Sequence, residues 1–296
     1  MKRNKILNSI FSVFASFLLL SHTCGFMPFS IGKKIGRKQP VQQKDPLLPF
    51  VYPDKKITEN EFETFLKNLN RDQKRLVYGV ITGKSVEREL EVSEIVKEMN
   101  WVSSHWVTYQ FKDFDYHEMV MWTAEKVGVE KSVCRVATTF QLEHLICEKM
   151  FIKLWDKLTP EQRAEALKEA NLDASLAKKT GATVFGVISG TLAAGSIAAS
   201  AMGFAFYILM AKTVVVIMAS VFGIPAATTI AGISALCGPV GWTIAGISIV
   251  FVIVLTGGAS VEKCAATIIQ IHALKVNAFV NSGESYQKYL DGVIRQ

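Results

Sequence analysis

The chain has 296 residues, a formal net charge of +7 and a 50% share of hydrophobic residues. A chain this apolar is not disordered, and its length allows one large or two modest domains. The positive charge comes from residues 1–44, which contain eight Lys or Arg and no acid, whereas residues 55–180 carry 20 basic and 21 acidic residues. Because nucleic-acid binding needs a basic face on the folded part of the chain, we expect no nucleic-acid partner.

Residues 1–25 have the pattern of a signal peptide or an N-terminal anchor. Lys2, Arg3 and Lys5 precede 15 uncharged residues, 6–20, and small or polar residues follow at 21–25. The uncharged run is shorter than the roughly 20 residues of a comfortable bilayer span, which favours a signal peptide. An uncleaved anchor, a buried helix and an organelle transit sequence remain open alternatives. We therefore expect a protein of the secretory pathway, a membrane or the bacterial envelope.

Residues 26–54 are expected to form a basic, proline-rich linker. Five of the eight prolines of the chain lie at 28–54, together with four basic residues at 33–38. This composition is typical of an extended, solvated segment. If the protein is attached to a membrane, the same basic residues would also suit anionic lipid headgroups.

Residues 55–180 carry the signals of about six amphipathic helices. Thr58 with Glu61 predicts a capping box, and Asp72 is a candidate N-cap for the second helix. Two later helix starts and two helix ends are also predicted: Thr138 with Gln141, Thr159-Pro160 with Gln162, and the terminating glycines Gly83 and Gly128. The segment is therefore predicted to be an amphipathic helical domain.

Residues 181–260, called the apolar tract below, differ from the rest of the chain. Lys212 is their only charge and 12 of the 80 residues are glycine. Gly186-x-x-x-Gly190 would allow two helices to approach closely, as in membrane bundles and self-associating helices. Lys212 is either a functional charge within the tract or, as we favour, a side chain that reaches an interface at a helix end.

Two breaks divide the second half of the tract. Pro225 predicts a kink, and Gly238-Pro239-Val240-Gly241 is the strongest turn signal of the chain, followed at once by Trp242. We therefore predict a hairpin-like pair of apolar helices. A helix buried on all sides by protein is as apolar as one in lipid, so hydropathy leaves both surroundings open, with lipid favoured. After the tract, residues 261–296 are predicted to form a C-terminal amphipathic helix and tail.

Residue patterns that carry chemistry are weak in this sequence. Asp113-x-Asp115-x-His117-Glu118 lacks the spacing of a calcium loop and is better explained by helix capping. His144 and Cys147 share a helix face, but no second ligand pair completes a zinc site, and His144 is interpreted as a partly buried helix residue. Nucleotide-binding and nucleophile-elbow motifs are absent from the sequence. We expect no catalytic, cofactor-binding or metal-binding residues, no cofactor and no enzyme activity.

Three stretches resemble a known family: "LICEKMFIKLWDKLTPEQRAEALKEANLD" (145–173), "GISALCGPVGWTIAG" (232–246) and "GGASVEKCAATIIQIHALK" (257–275). They are similar to the YaaW-like family of uncharacterised bacterial proteins, grouped loosely with ubiquinol–cytochrome c chaperones. The resemblance covers about residues 58–276 and implies a mostly helical fold, but no catalytic residues. This chain departs from the family pattern in its N-terminus, in the hydropathy of 181–256 and at Glu262-Lys263, where the family has an aromatic-Arg pair.

The sequence as a whole predicts an all-α protein, with an amphipathic helical domain followed by glycine-rich, hairpin-like apolar helices that are expected to be transmembrane. The leading hypothesis is a non-enzymatic, membrane-associated protein whose partner is the lipid bilayer, in one version a membrane-inserting or pore-forming protein. Self-association through small-residue helix faces would accompany it. The alternative is a soluble, chaperone-like interaction or assembly module with 181–260 as its buried core.

Overall fold

The computed structural model describes residues 45–83, 86–103, 114–170, 172–193, 206, 209–210, 213, 260–283 and 289–290. All regular structure in these residues is helical, which confirms the predicted all-α class. The α-helices are α1 (Glu59–Asn68), α2 (Arg71–Thr82), α3 (Val92–Ser103), α4 (Tyr116–Val127), α5 (Lys131–Val136), α6 (Thr139–Trp155), α7 (Pro160–Glu169), α8 (Gly181–Ala193) and α9 (Val261–Ser282). Two 3₁₀ helices lie at Leu48–Phe50 and Ala174–Lys178. Helices α1–α7 and α9 are called the body below.

Side chains predicted from sequence to begin helices do so in three cases. Thr58, Thr138 and Thr159 each accept a hydrogen bond from the backbone N–H three residues on, and Glu61, Gln141 and Gln162 complete the capping boxes. Each box satisfies two backbone donors that the first turn leaves unpaired, worth about 1 kcal/mol for the cap. Gly83 and Gly128 end α2 and α4 in the left-handed conformation, as predicted.

One helix start was wrongly assigned. Asn70, not Asp72, is the N-cap of α2, because the Asn70 side chain accepts from the Gln73 N–H at 2.9 Å and Asp72 already lies in the first turn of the helix. The Gln73 side chain instead accepts from the Asn70 N–H, which closes a capping box two residues earlier than expected. Asp115, in the predicted capping role, caps α4 through the Glu118 N–H at 2.9 Å.

Helix α9 is the central element of the described fold. It contacts α2, α3, α4 and α6 as well as the first 3₁₀ helix, and 16 of its 22 residues are buried. The sequence predicts a C-terminal amphipathic helix and tail at 261–296, and the structure encloses most faces of this helix instead of leaving a broad polar face exposed. The sequence of α9 contains Lys, His, Gln and Thr at positions that look solvated, but those side chains face neighbouring helices.

Residues 45–54 also differ from the solvated linker expected over 26–54. Leu47 and Val51 flank the first 3₁₀ helix and are buried against the body. The Asp45 N–H donates to Ser282 Oγ at 3.1 Å, and Asn281 Nδ2 donates to Asp45 Oδ2 at the same distance. These bonds attach the segment to the end of α9. Residues 26–44 lie outside the described residues.

Helix α6 holds the beginning of the apolar tract. Trp155 Nε1 donates to the Lys179 carbonyl at 3.1 Å, and the Gly181 N–H donates to Asp156 Oδ1 at 3.1 Å. A Cβ at Gly181 would lie 2.8 Å from Ile152 Cα, so only glycine fits where α8 starts against α6. None of the helices within the described residues combines the length and hydropathy needed to cross a membrane.

Candidate functional site

Two oppositely charged side chains meet in the core, where α6 packs against α9. Lys275 Nζ donates to Glu143 Oε1 at 2.6 Å, and the two side chains are 1% and 0% exposed. Burying two charges costs several kcal/mol each, which their attraction offsets only when the remaining hydrogen-bonding positions are also filled. The groups around Glu143 and Lys275 therefore determine whether the buried pair is favourable.

The spacing of residues along α6 and α9 brings Glu143 together with His272 and Lys275. Glu143 lies between Phe140 and Cys147 on the buried face of α6, at spacings of three and four residues. On α9, His272 and Lys275 are three residues apart and so point to one side of the helix. Because α6 and α9 pack face to face, the carboxylate of one helix meets the imidazole and the ammonium of the other.

Three donors surround the Glu143 carboxylate. Oε1 accepts from Lys275 Nζ and, at 3.0 Å, from the Tyr116 hydroxyl of α4, while Oε2 lies 3.2 Å from His272 Nδ1. An ionised carboxylate only accepts, so Nδ1 of His272 carries the hydrogen. We call Tyr116, Glu143, His272 and Lys275 the Glu143 cluster. It joins α4, α6 and α9 through one carboxylate.

Burial and charge fix the protonation of the Glu143 cluster. Burial alone would raise the pKa of the Glu143 carboxyl, but Lys275 and His272 outweigh it and lower that pKa. Burial, and next the Glu143 charge, raise the pKa of Tyr116 well above its ordinary value, so the phenol stays a donor. Burial lowers the pKa of His272 against the opposing effect of Glu143. The imidazole is therefore neutral, and the cluster balances one negative charge with one positive charge.

Aromatic rings enclose the cluster. The Lys275 ammonium lies over the rings of Phe65 and Tyr116, at 5.3 and 5.5 Å from their centroids. Phe140 packs on the His272 ring at 4.7 Å between centroids, and Phe62 stacks on Tyr116 at 3.8 Å. Cation–aromatic contacts of this kind supply part of the solvation that the ammonium has lost.

His144 connects the cluster to the apolar tract. Its ring is 5.6 Å from that of His272 and 5.3 Å from that of Phe185 in α8. Burial, followed by the nearby His272, lowers the pKa of His144 to about 3, so this imidazole is also neutral. His144 is 2% exposed and thus fully buried, more so than the partial burial expected from sequence.

The chemistry open to this site is pairing and proton uptake within the core. Every member of the Glu143 cluster is at most 1% exposed, so a solute does not reach it in this conformation. Within the described residues, no three His, Cys, Asp or Glu side chains are grouped to hold a metal ion. Cys147 lies beside Glu143, and burial raises its pKa well above the ordinary value, so its thiol is a poor nucleophile.

Of the residues singled out from sequence, Gly186 and Gly190 lie on α8. The described side chains of this helix separate cleanly: Val184, Phe185 and Ile188 are buried against the body, whereas Val187 is 41% exposed. A Cβ added at Gly186 or Gly190 would meet no atom of the described residues within 4 Å. The small-residue face of α8 therefore points away from α6. Lys212, Pro225, Gly238, Pro239, Gly241 and Trp242 lie outside the described residues.

Sequence reasoning did not single out the Glu143 cluster, although a signal was present. Glu143 is an acid in the apolar stripe of α6, and His272 and Lys275 interrupt the run "CAATIIQIHALKV". Buried charge is expected to be paired, so an acid on one apolar face and a cation on another would have suggested contact. Neither pattern identifies its partner without the packing of the helices.

Comparison of the chain with protein-family models, with curated proteins and with solved structures gives no match. The class that the structure defines is an all-α body packed around a central helix, with a buried ion pair at its centre. The role of the Glu143 cluster therefore follows from its own contacts and burial.

Proposed function

We propose that this chain is a non-enzymatic, membrane-associated helical protein whose apolar tract inserts, or can be triggered to insert, into a lipid bilayer while the body remains outside. The observation that carries the proposal is the tract itself: 80 residues with one charge, bounded on both sides by a charged helical body. An apolar length of this kind needs either lipid or a large protein surface to cover it.

Both ends of the tract are held by the body, which suits this role. Gly181 starts α8 against α6, and at the other end the Ser260 N–H donates to the Val102 carbonyl of α3 at 3.0 Å. Cys264 Sγ, on the first turn of α9, donates to the same carbonyl at 3.4 Å. A tract that leaves and returns at fixed points can enter a membrane without detaching from its body.

The outward face of α8 supports contact with apolar partners. Gly186 and Gly190 leave a flat strip beside the exposed Val187, and small-residue strips let helices approach closely where lipid removes the hydrophobic drive. We propose that, once the tract is in the bilayer, this strip packs against another helix of the tract or of a second copy. The signal-like N-terminus adds a secretory or envelope location to the proposal. The resemblance to YaaW-like proteins contributes a helical fold and no activity.

Carbonate extraction of membranes from cells that make the full chain tests this function. We expect the protein in the membrane pellet at high pH, and release into the supernatant would contradict insertion. A variant with Ile249→Asp and Ile253→Asp places two charges in the last apolar stretch, at about 2.5–3.5 kcal/mol each at the centre of a bilayer. We expect this variant to leave the pellet, while the matched control Val136→Asp, at a body position that is 68% exposed, stays there.

A second function is favoured by a specific observation. Residues of the tract that the structure describes are buried in the body, among them Phe185, Phe206, Leu209 and Met210. This burial suits a soluble, chaperone-like module that uses the tract as its core. It predicts a full chain that is monodisperse in buffer without detergent and melts cooperatively. Size-exclusion chromatography checks it, and solubility only in detergent would contradict it.

A further inference from the structure

Helix α9 follows the apolar tract in the chain but packs among helices that precede the tract. It contacts α2, α3, α4 and α6, and 16 of its 22 residues are buried. Within this packing, Glu143 of α6 pairs with His272 and Lys275 of α9. Placing α6 and α9 on opposite sides of a bilayer would separate these buried charges, which is strongly unfavourable. The segments before and after the tract therefore form one folded unit.

Helices α6 and α9 run in opposite directions. His272 of α9 contacts Glu143 of α6, whereas Phe279, seven residues later on α9, packs on Phe140, three residues earlier on α6. Residue numbers thus rise along one helix while they fall along the other. The end of α6 therefore lies at the same end of the body as the start of α9.

Both bounds of the apolar tract lie at this end of the body. At the first bound, the Gly181 N–H donates to the side chain of Asp156, the residue that follows α6. At the second bound, the Ser260 N–H donates to the Val102 carbonyl near the end of α3. The end of α6 and the start of α9 are each 11 or 12 residues, or about 17 Å along the helix, from the Glu143 cluster. We call this end of the body the tract end.

The opposite end of the body, called the far end below, is formed by the start of α6 and the end of α9. The Thr139 N–H donates to the Lys55 carbonyl at 3.3 Å, and the Asp45 N–H donates to Ser282 Oγ at 3.1 Å. Because α6 has 17 residues, the far end lies about 25 Å from the tract end.

Helix α8 starts at the tract end and runs back along the body. The ring of Phe185 lies 5.7 Å from that of Phe151 and 5.3 Å from that of His144, so α8 is antiparallel to α6. A bilayer at the tract end therefore does not need to displace α8 from α6.

We propose that the tract end of the body faces the bilayer, so that the chain before the tract and the chain after it lie on one side of the membrane. The inference rests on the proposed function, because the bilayer is the one into which the tract is proposed to insert. A chain that leaves and returns on the same side crosses a bilayer an even number of times. The hairpin-like pair of apolar helices predicted from the sequence satisfies this condition.

Labelling with a membrane-impermeant maleimide, in intact and in lysed cells that make the full chain, tests the common side. Cys24→Ser with Cys237→Ser gives a parent chain that retains Cys134, Cys147 and Cys264. These three thiols are buried, and burial raises the pKa of each. Buried thiols of raised pKa react slowly, so the parent chain measures the background.

Single cysteines are then added to the parent chain at exposed positions. Lys178→Cys and Glu262→Cys lie next to the two bounds of the tract, and Lys56→Cys lies at the far end as the matched position. We expect the three variants to be labelled alike, either all in intact cells or all only after lysis. A different pattern at any one of the three positions overturns the proposal.

Energy transfer to an acceptor lipid tests which end faces the bilayer. Each variant is labelled with a donor dye and reconstituted into phosphatidylcholine–phosphatidylglycerol vesicles with the acceptor lipid in both leaflets. We expect stronger transfer from Lys178→Cys and Glu262→Cys than from Lys56→Cys, because the far end is about 25 Å more distant from the headgroups. Equal transfer from the three positions, or the reverse order, contradicts the proposal.

Carbonate extraction of the same membranes separates this inference from the proposed function. Retention in the pellet, with Lys178→Cys and Glu262→Cys labelled from opposite sides, supports insertion and contradicts the inference. Release from the pellet, with the expected order of energy transfer, contradicts insertion and supports a tract end that faces the bilayer. Release together with no energy transfer from any position contradicts both.

Discussion

Helix α8 begins the apolar tract and helix α9 follows it, and the two helices are buried in opposite ways. The described part of α8 is free of charge, yet only one of its faces packs on the body, and Val187 on the opposite face is 41% exposed. Helix α9 contains buried Lys263, Gln270, His272 and Lys275, yet it is the most enclosed helix described. Hydropathy alone would predict that α8 is the more buried helix and α9 the more exposed one. The burial of His272 and Lys275 is made favourable by their shared partner, Glu143.

Glu143→Gln should have the largest effect, because it removes the carboxylate that pairs with Lys275 and His272 and so allows α9 to be buried. The substitution leaves the Lys275 ammonium buried opposite a neutral amide, and breaking such a pair costs about 3–5 kcal/mol. Urea unfolding followed by far-ultraviolet circular dichroism measures the free energy. Glu148→Gln, on the same helix but partly exposed, should change it by less than about 0.5 kcal/mol. Equal losses in the two variants would contradict a special role for the cluster.

Replacing both charges should cost less than the sum of the single changes. Glu143→Met with Lys275→Met removes two buried charges and fills the space with apolar atoms, so we expect a coupling energy of about 1–3 kcal/mol in a double-mutant cycle. The same urea titrations supply the four free energies. Additive losses would show that the 2.6 Å contact does not couple the two residues energetically.

Gly181→Ala tests the closed face of α8. The new methyl group would lie 2.8 Å from Ile152 Cα and 3.2 Å from Trp155 Cβ, so α8 must move away from α6. Overpacking against backbone costs about 1–3 kcal/mol. Because Trp155 is buried beside this contact, its fluorescence should shift to longer wavelength in a chain whose other tryptophans are replaced by Phe. An unchanged free energy of unfolding and an unchanged spectrum would contradict this packing.

Gly186→Ala and Gly190→Ala test the open face and should have the smallest effect, of opposite sign. Because no atom in the described part of the chain lies within 4 Å of either new methyl group, each change should stabilise α8 by up to about 1 kcal/mol through helix propensity. Thermal unfolding of the purified chain measures it. Destabilisation would instead show that the Gly186–Gly190 strip is packed closely against another helix.

Local signals in the sequence were enough to locate most helices. A Thr or Asn side chain caps its own first turn and a glycine ends a helix with its own backbone, so these boundaries need no distant contact. The error at Asp72 arose because two candidate caps stood two residues apart. Helix α5 was not predicted, because its six residues provide too little periodicity to recognise.

The sequence by itself determined the all-α class, the main helix boundaries and a tract with a single charge, because these depend on neighbours along the chain. Only the tertiary structure decided that α9 is central and that Glu143 holds His272 and Lys275. Those residues are 129 and 132 positions from Glu143, and their burial is favourable only when the partners arrive together. The same structure seats the start of the tract on α6, where the ring of His144 lies 5.3 Å from that of Phe185.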